Sequence, residues 1–310
     1  MAFTGERFCG LGRSIMESLR QYWGGTKTVL NILPEARTMT TMKDLKGFCY
    51  PLTPGGTSSL VGEMPWHYAA EYVNIVYRAD PATIAAYLPE PLEPGPEPEI
   101  AYVAFSKWWA LWDNQPEMAF TNPERTQYRE CAIWVGCSFQ GTPGQICLQI
   151  WVSNDFTMAR GWFMGFAKKL GQTYITEYHP LNPAMHPLGV GSKLKGYVCA
   201  HGERIIEGTM ELAHKISLAD LPKPMGLPVF HIRHFPSIVR GAPPSVLELV
   251  RLGVANLRFS EDIWAGKGTL TFFPSDIEEH MTLVPKEIIG AYHFGLGYSF
   301  PGGEVLYKWV

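Results

Sequence analysis

The chain of 310 residues has no apolar run near the roughly 20 residues that a helix needs to span a bilayer. It also lacks a strong charge of one sign, because its formal net charge is −3. A general attraction to nucleic acid or to an anionic membrane is therefore not expected. Its six cysteines show no paired spacing of the zinc type, and several sit in apolar runs that suit reduced, buried thiols. We therefore expect a cytoplasmic protein without a disulfide framework.

The motifs of several common enzyme classes are missing as well. The sequence contains no Gly-x-Ser-x-Gly nucleophile elbow, no phosphate-cradling glycine loop, no heptad pattern and no internal repeat. His231 and His234 share a strand-like run at an odd separation, which places them on opposite faces rather than on one metal. We expect no metal site, and the chemistry has to come from other side chains.

Short apolar strands, punctuated by proline and glycine turns, make up most of the chain. Runs such as "EYVNIVYRAD" and "ECAIWVGCSFQG" are typical of strands. Short helices are predicted at "PATIAAYL", within "DFTMARGWFMGFAKKLG" and at "SVLELVRLGVANL". This pattern predicts one α+β domain over 46–310, built on an antiparallel sheet that closes into a barrel or sandwich. Residues 1–45 are expected to form an N-terminal extension, helical or disordered.

A pair of lysines, Lys168 and Lys169, ends the apolar run "GWFMGFAKKLG". A lysine pair is most often a solvated surface feature. Here the preceding residues carry no charge and include several aromatics, so an ammonium packed against them would lose hydration. Desolvation next to a second cation is a recognised way to make lysine nucleophilic. We therefore predict that Lys168 attacks a ketone and forms an iminium ion, with Lys169 as its cationic neighbour.

Glu130 is the candidate acid or base. A glutamate at the start of a strand is usually exposed, but Tyr128 and Glu130 share one face of this strand while Arg129 points to the other. If that face is the inner one, Glu130 is a buried carboxyl beside a phenol, suited to protonating an enamine. Weaker candidates for substrate binding are Tyr128, Arg160, Phe166, His67 and Trp162.

Together these motifs resemble the acetoacetate decarboxylase family, from about Lys46 to Val310. "YRECAIWVGCSFQG" is similar to the family's Tyr-x-Glu strand, and "GFAKKLG" to its Lys-Lys signature, with Ala167 where proline is usual. The resemblance implies an antiparallel, cone-like β-barrel with a few short helices, homo-oligomers, and no metal or organic cofactor. It assigns the Schiff-base lysine to Lys168, the cationic neighbour to Lys169 and the active-site glutamate to Glu130.

One departure from the family pattern bears on the substrate. The family has an arginine just before its first strand that engages the substrate carboxylate, and Ala70 stands at that place here, ahead of "EYVNIVYRAD". Three functions therefore stay open. The first is decarboxylation of a small β-keto acid. The second is aldol condensation with dehydration, or cyclisation, of a keto acid. The third is binding of a small molecule without turnover.

Overall fold

The computed structural model describes residues 41–310. Backbone proximity divides the chain into two units, Met1–Lys46 and Gly47–Val310. In the first unit only residues 41–46 are described, and they form a single 3-10 turn, Met42–Asp44, capped by Thr41. The predicted N-terminal extension at 1–45 therefore falls almost wholly outside the described residues.

Twelve strands form the main sheet of the second unit. Its path runs β6-β5-β4-β3-β1-β14-β13-β9-β8-β7, with β2 added to β4 and β12 added to β14. All its neighbouring strands are antiparallel except β5 and β6, which are parallel. The strands are β1 Trp66–Arg78, β2 Leu92–Pro94, β3 Ile100–Trp112, β4 Gln127–Phe139, β5 Thr142–Val152, β6 Lys168–Leu170, β7 Gln172–Ile175, β8 Lys193–Ala200, β9 Glu203–Lys215, β12 Ala255–Phe259, β13 Trp264–Phe272 and β14 Glu287–Phe300.

The main sheet curls around on itself. Its two outermost strands, β6 and β7, are separated in the chain by Gly171 alone, so the two edges of the sheet meet at this residue. A Cβ at Gly171 would lie 2.8 Å from Trp151 and 3.1 Å from the carbonyl oxygen of Cys199, which explains why glycine stands at this junction. The structure thus confirms the predicted cone-like, antiparallel barrel.

The interior of the curl is the main hydrophobic core. Alternate residues along parts of β1, β3 and β4 point into it, including Ile75, Phe105 and Ile133, each fully buried. Phe105 crosses to the opposite wall, where a Cβ on Gly196 would come within 2.3 Å of its ring. The alternation of strand side chains then sends the intervening residues to the outer face of the sheet.

A second layer covers part of that outer face. It comprises a three-stranded sheet, in the order β10-β11-β15, and one helix of ten residues. Its elements are β10 Phe230–Phe235, β11 Val246–Leu252, β15 Gly303–Lys308 and α3 Asp155–Met164; the remaining helices are α1 Pro81–Ala86 and α2 Met118–Thr121, with further 3-10 turns Pro123–Arg125, Leu218–Asp220 and Glu279–Leu283. The outer face is therefore also buried where this layer lies on it.

Helix α3 is shorter than the segment in which a helix was predicted. Asp155 lies in its first turn, where a carboxylate interacts favourably with the helix dipole. It ends at Gly165, whose φ of 90° is the left-handed conformation that glycine tolerates at a helix terminus. The two lysines beyond it therefore belong to strand β6, not to the helix. Helix α1, with Asp80 as its N-cap and Pro81 in its first turn, confirms the other short prediction.

The helix predicted at "SVLELVRLGVANL" is wrong. The segment forms strands β11 and β12, separated by Gly253 and Val254. Its leucines suit a helix equally well, and the choice is made by long-range pairing, because β11 lies between β10 and β15. Ala70 also differs from its predicted place: it lies within β1, which already begins at Trp66. No helix in the described part of the chain is long and apolar enough to cross a membrane.

Candidate active site

A row of polar and aromatic side chains crosses the outer face of the sheet beneath helix α3. The register sets Tyr68 of β1 beside Tyr298 of β14, and Ser106 of β3 beside Glu130 of β4. Trp108 of β3 is paired with Tyr128 of β4, and their rings stack in parallel with centroids 5.9 Å apart. On β5, Ile150 lies next to Lys168 of β6. Residues from six strands are thus brought onto one surface.

Lys168 lies at the end of this row and is only 6% exposed. Its Nζ donates to Oγ1 of Thr157 at 3.0 Å and lies 3.3 Å from Oε2 of Glu130, which is equally buried. The ammonium also lies over the rings of Tyr128, at 5.2 Å, and Phe166, at 5.3 Å. The predicted pairing of a buried lysine, a buried carboxyl and a phenol is therefore present in the fold.

The pKa of Lys168 is held below its ordinary value, chiefly because burial disfavours the charged ammonium. The carboxylate of Glu130 opposes this shift, while the positive charge of Arg160 adds to it. The cation that assists desolvation is thus Arg160 of α3. Lys169 had been expected in that role, but the alternation of the strand turns it to the other face.

Lys169 lies on the barrel side of β6, at its rim. Its ammonium forms an ion pair with Glu278 and lies 5.5 Å from the ring of Trp151, and its side chain is 44% exposed. Glu278 also accepts a hydrogen bond from the indole of Trp151 at 3.2 Å. Lys169 therefore helps to neutralise a buried carboxylate on the face opposite Lys168.

Arg160 is buried to 1% exposure in the middle of α3. Its guanidinium lies about 5 Å from the ring centroids of three aromatic residues, Tyr68, Tyr128 and Phe156. Among residues 41–310, neither of its terminal nitrogens has a hydrogen-bond partner. A buried guanidinium with free donors is able to pair with an anion.

The phenols around Arg160 remain protonated at neutral pH. Burial raises the pKa of Tyr68 to about 12, with the charge of Arg160 acting against that shift. Burial likewise raises the pKa values of Tyr72, Tyr128 and Tyr298. These hydroxyls can therefore donate hydrogen bonds to a bound anion without carrying charge themselves.

Glycine at position 161 makes room for the lysine. A Cβ there would lie 2.3 Å from Cδ of Lys168, so the helix can approach β6 only because this residue has no side chain. The indole nitrogen of Trp162 donates to the carbonyl oxygen of Lys168 at 2.9 Å. Trp162 is 46% exposed, so it fixes the backbone of Lys168 from the outside.

His67 lies away from this cluster. It alternates with Tyr68 on β1 and so points to the other face, where its side chain is 41% exposed. Its ring nitrogens contact Oγ of Ser299 at 2.9 Å and Oδ1 of Asp113 at 2.6 Å. Of the predicted site residues, the structure thus brings together Lys168, Glu130, Tyr128, Arg160 and Phe166.

His231 also lies beside this cluster, although sequence reasoning did not include it among the site residues. This residue of β10 is 1% exposed, and its ring packs 4.0 Å from that of Phe166, centroid to centroid. Only its alternation with exposed His234 hinted that it is buried. No group of three or more potential metal ligands occurs within the described residues.

Comparison with known proteins matches residues 49–310 to a family model described as "Acetoacetate decarboxylase (ADC)". The acetoacetate decarboxylase of Clostridium botulinum is 25% identical over 242 residues, covering 77% of this chain and 87% of the relative. That of Chromobacterium violaceum is 26% identical over 273 residues, covering 86% and 96%. The match thus extends over nearly all of the second unit.

Two solved structures share the fold over most of their length. The enduracididine biosynthesis enzyme MppR, complexed with the condensation product of pyruvate and imidazole 4-carboxaldehyde, is 31% identical with a TM-score of 0.78, covering 86% of this chain and 98% of that one. An acetoacetate decarboxylase-like enzyme from Sphingomonas wittichii RW1 is 25% identical with a TM-score of 0.78, covering 84% and 99%.

Proposed function

The chain belongs to the acetoacetate decarboxylase family, and on that premise we propose that it is a carbon–carbon lyase that binds a small keto acid as an iminium ion on Lys168. The observation that carries the proposal is the burial of Lys168 between Glu130, Thr157 and two aromatic rings, with its pKa lowered. An amine in this setting is available for attack at a pH where an exposed lysine is protonated.

Iminium formation begins when the free amine of Lys168 attacks the carbonyl carbon of the keto acid. The resulting carbinolamine takes up a proton on its hydroxyl and loses water, which leaves a positively charged C=N bond. The charge draws electrons from the neighbouring carbon–carbon and carbon–hydrogen bonds. Glu130, at 3.3 Å from the amine, is placed to transfer the protons of these steps.

Arg160 is the group we assign to the substrate carboxylate. In this chain Ala70 stands on β1 in place of the family's arginine. Ala70 lies on the same face of β1 as Tyr68, and Arg160 contacts the Tyr68 ring from helix α3. The guanidinium therefore reaches the same surface from a different element. Its unpaired terminal nitrogens offer the bidentate geometry that a carboxylate prefers.

One fate of the iminium is decarboxylation, as the acetoacetate decarboxylases among the relatives suggest. With a β-keto acid, the bond to the carboxylate carbon breaks, carbon dioxide leaves, and its electron pair forms an enamine. Glu130 then protonates the enamine carbon. Hydrolysis of the new iminium releases a ketone and restores Lys168.

The second fate is an aldol reaction, in which the buried cation of Arg160 would hold a carboxylate that is retained. Glu130 would remove a proton from the carbon next to the iminium, and the enamine would add to an aldehyde. The new hydroxyl would then leave as water. The MppR complex with a pyruvate condensation product supports this alternative.

Reductive trapping tests both the iminium and its fate. The protein is incubated with cyanoborohydride and either pyruvate or acetoacetate, and intact and peptide masses are measured. We expect a reduced adduct on the peptide that carries Lys168, and none in Lys168→Met. With acetoacetate, an adduct mass that lacks carbon dioxide supports decarboxylation, and a mass that retains it shows that carbon dioxide had not left before reduction. A folded protein that gives no adduct with either acid contradicts the iminium and supports binding without turnover.

The variant Glu130→Gln tests the role of the carboxyl group separately from that of the amine. The carboxylate of Glu130 raises the pKa of Lys168, so its removal lowers that pKa and leaves more free amine at neutral pH. We expect trapping of pyruvate to persist or rise, while steps that need a proton donor slow by about 10²-fold or more. Loss of trapping in this variant would show that Glu130 has another role.

A further inference from the structure

His231 is a buried side chain with unused hydrogen-bonding capacity beside the lysine. It is 1% exposed, and within residues 41–310 neither of its ring nitrogens has a hydrogen-bond partner. Buried polar groups without partners are rare, because each loses its hydrogen bonds to water without a replacement. The pattern is typical of a group that meets its partner when a ligand binds.

Packing holds His231 against Phe166, one of the two aromatic rings that flank the amine of Lys168. Its ring lies 4.0 Å from the Phe166 ring, centroid to centroid, and the ammonium of Lys168 lies 5.3 Å from the same Phe166 ring. Trp134 closes another side, with its ring 5.8 Å from the imidazole. A Cβ on Gly165 would lie 2.8 Å from Cβ of His231, so the end of α3 presses directly on this residue.

The imidazole stays neutral in this position. Burial lowers the pKa of His231 to about 3, and the charge of Lys168 adds to the shift. A neutral imidazole carries one donor nitrogen and one acceptor nitrogen, and so it suits a neutral oxygen better than a carboxylate.

Lys168 therefore has a different polar group on each side. Towards Tyr128 lies the guanidinium of Arg160, 5.4 Å from that ring, and towards Phe166 lies His231. We propose that His231 binds a hydroxyl or carbonyl oxygen of the substrate, on the side of the iminium opposite the carboxylate. This assignment rests on the proposed function, and it makes the substrate class a keto acid, or a keto acid plus an aldehyde, with a second oxygen.

The proposal gives each polar group a separate task. The carboxylate goes to Arg160, the carbonyl carbon to Lys168, and the oxygen beyond the enamine carbon to His231. In an aldol reaction that oxygen is the aldehyde carbonyl, which becomes the hydroxyl of the adduct. A site built to hydrogen-bond such an oxygen disfavours analogues that lack it, because they leave its buried groups unpaired.

Two keto acids that differ in this oxygen test the proposal. Pyruvate has no oxygen beyond its methyl group, and 4-hydroxy-2-oxobutanoate carries a hydroxyl there. Trapping by cyanoborohydride is measured against concentration for each acid in the wild type, His231→Phe, His231→Gln and His234→Phe. For the hydroxy acid, the intact adduct and the pyruvate fragment left by carbon–carbon cleavage are counted together.

We expect the wild type to reach half-maximal trapping at about 5- to 10-fold lower concentration of the hydroxy acid than of pyruvate, the effect of one hydrogen bond. His231→Phe should lose this preference while still trapping pyruvate, and His231→Gln should keep part of it. His234 is exposed on the same strand, so His234→Phe should behave as the wild type.

Three results would overturn the proposal. The wild type has no preference for the hydroxy acid, or His231→Phe keeps the wild-type preference, or His231→Phe weakens trapping of both acids by one factor, as a packing defect would. An absence of adducts from either acid in the wild type is distinguishable from these results. It would refute the iminium on Lys168 itself, and with it the role of His231.

Discussion

Lys168 and Lys169 are chemically identical neighbours, and the fold gives them opposite surroundings. Lys168 is 6% exposed against aromatic rings, with Arg160 adding positive charge, and its pKa is lowered. The side chain of Lys169 is 44% exposed and is paired with Glu278. Burial acts to raise the pKa of Glu278, but the hydrogen bonds from Lys169 and from the indole of Trp151 lower it overall. One step along a strand thus changes a lysine from a structural counter-ion into a candidate nucleophile. What makes the difference is the face of the sheet, rather than the pairing of two ammonium groups.

The largest expected effect separates these two lysines directly. Lys168→Met should abolish the reduced keto-acid adduct, because no other amine is placed beside Glu130 in the described residues. Lys169→Met should keep the adduct, since its charge lies on the other face. Peptide mass spectrometry after cyanoborohydride treatment measures both. An adduct that survives in Lys168→Met and is lost in Lys169→Met would reverse the assignment.

The same pair should differ in stability. Lys169→Met leaves the buried carboxylate of Glu278 without its ammonium, so we expect the free energy of unfolding to fall by about 1–3 kcal/mol. Urea unfolding followed by tryptophan fluorescence gives this value. Lys169→Arg, which keeps the charge, is the matched control and should recover most of the loss.

Arg160 is expected to show the next largest effect. Arg160→Met keeps the apolar volume among Tyr68, Tyr128 and Phe156 but removes the proposed carboxylate partner. Trapping of pyruvate should weaken by about 10- to 100-fold, as for the loss of charged hydrogen bonds. Trapping of acetone, which has no carboxylate, should be affected far less. Equal losses for both compounds would contradict the assignment.

The pH profile of that variant gives a second measurement. Burial is the main cause of the lowered pKa of Lys168, and the charge of Arg160 contributes in the same direction. Removing Arg160 should therefore raise the pKa of Lys168 and shift the rise in trapping rate to higher pH. Glu130→Gln should shift it to lower pH, because Glu130 acts in the opposite sense. The two variants should therefore shift the pH profile of trapping in opposite directions.

His231 and His234 of β10 differ in burial in the same way as Lys168 and Lys169 of β6. His231 is buried and unprotonated, with its pKa lowered to about 3, and His234 is exposed. In the unfolded chain, His231 takes up a proton below about pH 6.5, whereas in the folded protein it does so only near pH 3. Stability should therefore be lost across that window, by up to about 1.4 kcal/mol per pH unit from this residue. His231→Leu should flatten this loss and His234→Leu should not, as measured by urea unfolding at pH 7, 6, 5 and 4.

Strand periodicity was enough to predict part of the site. It places Tyr128 and Glu130 on one face of β4, and the apolar context of Lys168 indicated desolvation. It did not reveal that α3 ends at Gly165, which returns both lysines to a strand and turns them to opposite faces. Nor could local pattern show that Arg160 and His231 lie beside the aromatic rings that flank Lys168, because helix α3 and strand β10 meet only through long-range packing. The helix wrongly predicted at β11 has the same origin, since its strand pairing is non-local.

The smallest expected effect concerns Trp162, which was predicted to bind substrate. Its indole nitrogen donates to the carbonyl oxygen of Lys168 at 2.9 Å, and its ring is 46% exposed. Trp162→Phe removes this one hydrogen bond, worth about 0.5–1.5 kcal/mol, and keeps most of the apolar contact. If Trp162 only anchors the backbone, unfolding should become easier by that amount, while the concentration for half-maximal trapping changes little. A loss of keto-acid affinity larger than the loss of stability would instead place the indole in contact with substrate. Trp162 would then belong with neither face of β6, but would be a substrate-binding residue that reaches the iminium from the solvent side of α3.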